Sequence, residues 1–152
     1  MTATPTGSEP GSLILIVDDN EMGLLARKQV LRELGHRVTV VSSAQEAIRR
    51  FTSEPFDLVV TDYKMPDMDG MEIIRRARAH NPAIPIILIS GFTNALGLNE
   101  STTGADVVLQ KSATEVSQLI RAVNRLLRKS LPPKKRVTLQ KKSAAASSKR
   151  AG

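Results

Sequence analysis

The sequence predicts a doubly wound α/β fold, a five-stranded parallel sheet with helices on both faces and right-handed crossovers. Three observations predict it. Short apolar, β-branched runs alternate five times with stretches of helical periodicity, and the connections are only a few residues long. The run Leu13–Val17 (LILIV) is apolar without alternation, as a central strand buried on both faces must be. Four of the five runs also end abruptly in polar residues, which parallel pairing would gather on one sheet edge.

Residues 1–11 are rich in Thr, Pro, Gly and Ser and offer almost nothing to bury, so a flexible leader is expected. The first strand, Leu13–Val17, runs into Asp18 and Asp19. Asn20 can cap a helix reaching about Leu34, with Met22, Leu25, Val30, Leu31 and Leu34 as its apolar side and Gly35 as its stop. His36–Val41 is β-branched and loosely alternating, a second strand. Ser43 to Glu46 spell a capping box ahead of Ala47, Ile48 and Phe51, and that helix ends by Pro55.

A third strand, through Leu58, Val59 and Val60, ends at Asp62. Asp69 can cap a helix from Gly70 to about His80 with Met71, Ile73, Ile74 and Ala77 facing inward, and Asn81 and Pro82 break it. Ile84–Ile89 is a fourth strand ending at Ser90. From Gly91 to Thr103 glycines and polar residues predict mobility, with one short helix within Ala95–Glu100. Gly104–Gln110 is the fifth strand, ending at Lys111. Ser112 to Glu115 form another capping box, and Val116, Leu119, Ile120, Val123, Leu126 and Leu127 then follow helical spacing.

A chain of 152 residues with 41% hydrophobic content suits one domain with a real core. The absence of cysteine removes disulfides, thiolate metal sites and cysteine nucleophiles, and two histidines leave little for zinc. With no apolar run near the ~20 residues that span a bilayer and no signal-like N-terminus, a soluble, cytoplasmic protein is expected. The formal charge of +7 is unevenly placed. From Arg128 to Gly152 there are nine Lys or Arg and no acid. The remaining 13 basic residues face 15 acidic ones, a net charge of −2 over residues 1–127. The basicity belongs to a tail, and the folded surface is not a general nucleic-acid binder.

Asp18, Asp19, Asp62, Ser90 and Lys111 therefore meet at the carboxyl ends of the strands. Taken singly, each has a plain structural use as a helix cap, a turn residue or a surface cation. Together they compose a phosphoryl-transfer site. Three crowded carboxylates raise one another's pKa unless a cation lies among them, and hard oxygen ligands with room for water suit Mg²⁺. With charge drawn off the phosphoryl oxygens by metal and Lys111, and a hydrogen bond from Ser90, Asp62 can attack phosphorus and hold the group as an acyl phosphate.

These residues resemble the receiver domains of two-component response regulators: the acidic pair at 18 and 19, Asp62 followed by Met65–Gly70 (MPDMDG), Ser90–Gly91, Gly104–Asp106 and Lys111. The resemblance covers about residues 12–129 and leaves 130–152 as a basic, disordered tail. It implies a flavodoxin-like sheet of order 2-1-3-4-5, with Asp62 as phosphoacceptor. It also implies that Asp19 and Asp62 ligate Mg²⁺ directly, Asp18 acts through water, and the Lys64 backbone carbonyl supplies a further ligand. Phosphate would come from a histidine kinase or a histidine phosphotransfer protein. The chemistry would be self-catalysed phosphotransfer and autodephosphorylation rather than that of a dedicated metabolic enzyme.

Several positions depart from the family pattern. Ser112 stands where Pro commonly follows the lysine, and Val108 stands where an aromatic ring often rotates inward, so no ring can switch there. Lys64 overhangs the site, where it can affect attacking water. Other classes fit less well. A haloacid-dehalogenase-type phosphatase needs a second Asp where this chain has Lys64, and neither GxxxxGK[ST] nor a post-strand GxGxxG occurs. A degenerate receiver that only binds partners is the remaining alternative.

No helix-turn-helix or enzymatic domain fits the residues after the last helix. Output would run through a separate protein that reads the receiver surface, or through onward transfer to a phosphotransfer protein. The tail cations Lys134, Lys135, Arg136, Lys141, Lys142, Lys149 and Arg150 are either a solvated extension or a tether. Nucleic acid leads the possible anionic partners, ahead of an acidic protein or a membrane surface. Pro132–Val137 (PPKKRV) also has the look of a nuclear-import signal, a common type of short basic run.

Overall fold

Each strand of the sheet sends alternate side chains to two separate cores, and that division explains the continuous apolar runs. A computed structural model describes residues 11–66, 68–91 and 93–130. Most of the expected leader and the tail from residue 131 onward lie outside the described residues. The elements are β1 (Leu13–Val17), α1 (Glu21–Glu33), β2 (Arg37–Val41), α2 (Ala44–Ser53), β3 (Leu58–Asp62) and α3 (Gly70–His80). There follow β4 (Ile86–Ser90), the single-turn helices α4 (Thr93–Leu96) and α5 (Glu100–Thr103), β5 (Val107–Gln110) and α6 (Glu115–Ser130). All strand pairs are parallel and the order is β2-β1-β3-β4-β5, the order implied by the resemblance.

Leu15, Val17 and Val59 point to one face, where α2 and α3 cover them with Ala47, Phe51, Ile73, Ile74 and Ala77. Ile14, Ile16, Leu58 and Val60 point to the other, against Leu24 and Leu31 of α1 and Leu119, Val123, Leu126 and Leu127 of α6. Burying a large aliphatic side chain contributes about 1.5–3 kcal/mol, so these two layers dominate stability. No helix among the described residues is long and apolar enough to cross a membrane.

The helix α1 presents a different face from the one its apolar residues suggested. Met22, Leu25 and Leu34 are exposed (77%, 59% and 43%), whereas Leu24, Arg27 and Leu31 are buried. Met22, Leu24 and Leu25 allow two helical phases, and the ion pairs of Arg27 with Asp18 and Glu115 select the one that turns Arg27 inward. In α6, Val116 is 38% exposed and Ala122 joins the core instead. Met71 of α3 and Ile48 of α2 are only half-buried.

Helix ends follow the cap chemistry with two differences. Asn20, Ser43 and Asp69 accept from Gly23, Glu46 and Glu72 amides as expected. Gly35, at φ +97°, stops α1 while its N–H donates to the Arg32 carbonyl at 2.9 Å. At α6, however, the Glu115 carboxylate turns to Arg27 at 2.7 Å, which takes it from the expected capping box. In place of one helix within Ala95–Glu100 there are two single turns, α4 and α5, the second capped by Asn99. Strand starts also move: β2 begins at Arg37, β4 at Ile86 and β5 at Val107. Asp106 ties the approach to β5 onto β4: its N–H donates to the Ile86 carbonyl at 2.9 Å, its carboxylate accepts from the Ile86 amide at 2.8 Å, and it pairs with Arg78 at 2.9 Å.

His36, just before β2, accepts a bond at Nδ1 from the Ser12 amide at 3.2 Å. Burial lowers its pKa against the pull of Asp57. Because the folded pKa lies below the unfolded one, its contribution to stability is present above about pH 6.5 and is lost as pH falls toward the folded value. Thermal unfolding of His36→Asn followed from pH 7.5 to 5 should show a flatter acid decline than the parent chain. Equal slopes would mean that His36 titrates alike in both states.

Candidate functional site

Parallel pairing sets the positions of the polar residues at the strand ends. Val17 is in register with Thr61, so Asp18, Asp19 and Asp62 leave adjacent strands at the same level. Ser90, the last residue of β4, is paired with Gln110, and the Lys111 amide donates to the Ser90 carbonyl at 2.9 Å. One carboxylate oxygen from each of Asp18, Asp19 and Asp62 lies within 4.8 Å of the other two. Lys111 Nζ is 3.0 Å from Asp62 Oδ1. Four of the five expected side chains thus meet directly, and Ser90, 1% exposed, closes the adjoining strand end. Lys64 is exposed two residues past β3, and the assignment of its carbonyl rests on the resemblance.

The environments of the three carboxylates differ. Asp19 is exposed, whereas Asp18 and Asp62 are 1% and 5% exposed. Asp18 is held at both oxygens: Oδ1 accepts from the Asn20 amide at 2.9 Å, and Oδ2 pairs with Arg27 Nη1. Arg27 then bonds through Nε to Glu115 Oε2 at 2.7 Å. Burial alone would lower the pKa of this guanidinium, but the bonds to Glu115 and Asp18 outweigh it, so the charge is permanent. Burial pushes the Asp62 carboxyl above its ordinary value, against the hydrogen bond from Lys111 and with the Asp18 charge adding to the rise.

Gly70 secures the loop behind Asp62. Its amide donates to the Tyr63 carbonyl at 2.6 Å, and a Cβ there would stand 2.6 Å from the Asp62 carbonyl oxygen and 2.8 Å from Leu88. The close approach of α3 to the end of β3 needs glycine at this position.

The donor set fits a hard divalent cation, because it consists of carboxylate oxygens that converge on one point from two strands. Sequence reasoning missed Arg27 and Glu115. A signal was present for Arg27, which lies between Leu24 and Leu31 on a single helical stripe, a place where a solvated arginine has no room.

Residues 14–124 match the response regulator receiver domain. The response regulator receiver protein CpdR of Brucella abortus is 34% identical over 116 residues, 76% of this chain and 95% of that protein. The transcriptional regulatory protein ZraR of Escherichia coli K12 is 32% identical over 81 residues, and the chain spans 18% of its length. Among solved structures, the response regulator protein TrrA of Thermotoga maritima in complex with Mg²⁺-BeF superposes with a TM-score of 0.68 at 29% identity. That match covers 76% of this chain and 98% of the other.

The raised pKa of Asp62 gives a test of the site without ligand. A carboxyl whose folded pKa exceeds its unfolded one adds stability below about pH 4 and loses it as pH rises through the folded value. In the absence of divalent metal, Asp62→Asn should therefore unfold several degrees higher than the parent chain at pH 7. The gain should shrink to nothing near pH 3.5. An Asn variant no more stable at pH 7 would mean that Lys111 fully offsets the burial of the charge.

Proposed function

Because the chain belongs to the response regulator receiver family, we propose that it is a single-domain response regulator that takes a phosphoryl group onto Asp62 from a histidine kinase or a phosphotransfer protein. The observation that carries this reading is the Asp62 carboxylate, buried at the end of β3, with the Lys111 ammonium 3.0 Å away and two further carboxylates beside it. The near-complete span of the Brucella relative supports a receiver acting without an attached output domain. The Thermotoga complex supports the use of Mg²⁺.

An Asp62 oxygen attacks the phosphorus of a phosphohistidine, the P–N bond breaks, and its electron pair leaves with the imidazole, which takes up a proton. The product is an acyl phosphate on Asp62. Lys111 moves from the free carboxylate to a phosphoryl oxygen as charge develops there, and the Ser90 hydroxyl donates to another. Asp19 and Asp62 would hold Mg²⁺ directly, with Asp18 acting through water and the Lys64 carbonyl completing the protein's share. When bound, the ion supplies electrostatic stabilisation of the phosphoryl oxygens. In release, water attacks phosphorus, the P–O bond to Asp62 breaks, the carboxylate is regenerated, and inorganic phosphate leaves with the water's oxygen while a proton passes to solvent.

Coupling to a partner would run from Ser90 through residues 91–103. Gln110 Nε2 donates to the Gly91 carbonyl at 3.2 Å, Thr93 bonds Gln110, and Glu100 accepts from the Val108 amide at 2.8 Å. These ties give the segment a path to β5 that needs no aromatic ring at position 108.

Acetyl phosphate with Mg²⁺ should place one acid-stable, base-labile phosphoryl group on the chain and none on Asp62→Asn. Asp19→Ala should abolish labelling with the fold intact. Lys111→Ala should keep metal binding but label about a hundred-fold more slowly, the order of loss when one transition-state donor is removed. A stable adduct on Asp62→Asn, or full speed in Lys111→Ala, would overturn the assignments.

A second reading, a non-phosphorylated binding module tethered to nucleic acid, is favoured by the nine cations and no acid from Arg128 onward. On this reading Lys134, Lys135, Arg136, Lys141, Lys142, Lys149 and Arg150 would neutralise phosphates and release counterions. Binding to duplex DNA should then be sequence-independent, weaken steeply between roughly 50 and 200 mM salt, and vanish on truncation after Ser130. Retention of binding by the truncated chain would exclude the tether.

A further inference from the structure

Arg27 lies in the apolar stripe of α1, between Leu24 and Leu31, where a leucine would pack. Its side chain is 6% exposed and it pairs with two carboxylates, Asp18 at 1% and Glu115 at 12%. A buried ion triad of this kind is a poor source of stability, since desolvation of the charges cancels most of their attraction. Its value lies in geometry. The planar guanidinium offers donors in a fixed fork, with Nη1 on Asp18 and Nε on Glu115.

The two ends of the fork reach different parts of the site. Asp18 belongs to the acidic pair after β1. Glu115 opens α6, four residues after Lys111, and the intervening residues 112–114 are exposed, with hydrogen bonds confined to that turn and the start of α6. Glu115 is thus the first side chain after Lys111 that anchors the chain to another element. The backbone makes room for the fork as well: a Cβ on Gly23 would lie 3.0 Å from Asp18 Oδ2 and 3.3 Å from Arg27 Nη1.

We propose that Arg27 is a positioning residue for phosphotransfer, one that holds Asp18 and Glu115 in a single fork and so fixes the distance between the acidic pair and the turn that follows Lys111. The inference rests on the phosphoacceptor reading of the site. Lys111 has a flexible stem and is 38% exposed, so its reach to the phosphoryl group depends on where that turn is held.

Three variants of the full chain separate the ends of the fork. Glu115→Ala cuts the tie to α6 and leaves Arg27 on Asp18. Glu115→Gln keeps an acceptor oxygen without the charge, and Arg27→Lys keeps a cation that cannot span both carboxylates. Each is measured for Mg²⁺ affinity by calorimetry, labelling rate from acetyl phosphate at saturating Mg²⁺, amide exchange over residues 111–118, and thermal midpoint. Glu115→Ala should label about ten- to a hundred-fold more slowly, the range for a small misplacement of a reacting group, with wild-type Mg²⁺ affinity and faster exchange after Lys111. Glu115→Gln should recover most of the rate. Arg27→Lys should lose both rate and Mg²⁺ affinity while staying folded.

A wild-type rate in Glu115→Ala would overturn the positioning role while leaving the phosphoacceptor reading intact. A Glu115→Gln protein as slow as Glu115→Ala would also overturn it, by making charge rather than the tie responsible. If the unaltered chain takes no label with Mg²⁺ and donor, the phosphoacceptor reading fails and this inference falls with it.

Discussion

Three carboxylates whose oxygens gather within 4.8 Å impose the central constraint on this molecule. Unit charges at that spacing repel by about 3 kcal/mol per pair at an effective dielectric near 20, comparable with much of a domain's net stability. The fold distributes cations around them unequally. Arg27 is fixed and buried against Asp18, whereas Lys111 is half in solvent and touches Asp62 through one mobile stem. One cation holds a carboxylate in place, and the other sits on a flexible side chain that is able to change partner. Burial raises the pKa of Asp62 against the hydrogen bond from Lys111, and the Asp18 charge adds to the rise.

The same constraint explains why so much apolar surface is committed to the strands. Both faces of β1, β3 and β4 are sealed by separate cores, so the strand ends are held rigidly although they carry the most costly groups in the molecule. A close approach also marks the loop behind Asp62, where Gly70 lets α3 come within contact distance of the β3 backbone. A site that brings three acids together needs such a scaffold on every side. Here the sheet supplies the level, the helices the walls, and the loop glycine the close approach.

Much of this was legible in the sequence because the signals were local and redundant. Strand type followed from apolar runs, strand ends from abrupt polar residues, and three helix starts from Asn20, Ser43 and Asp69. The rotation of α1 was not legible in the same way. Met22, Leu24 and Leu25 are all apolar within one turn, and hydrophobicity alone cannot choose between phases when an arginine occupies the true inward stripe. Glu115 was misassigned for a related reason: its spacing from Ser112 matches a local cap, but the long-range bond to Arg27 takes the carboxylate. Two contacts separated by 9 and 88 residues in sequence set both outcomes. Before β5, the Asp106 carboxylate takes the Ile86 amide and Arg78, side-chain contacts that the apolar pattern of the strand could not show.

The bond that the Val108 amide donates to Glu100 Oε2 also bears on the edge of the sheet. β5 is an outer strand of the sheet, and the Val108 N–H faces away from β4, toward whatever lies beyond the edge. An open row of such donors is a template on which other chains can add strands and begin to aggregate. The carboxylate of α5 occupies that donor and leaves a negative charge across the path of an incoming backbone, whose carbonyls it would repel. With only four residues in the strand, one side chain from a four-residue helix is enough to spoil the template. The short α5 therefore closes the Val108 donor on this edge, a use that its length and polar composition alone would not suggest.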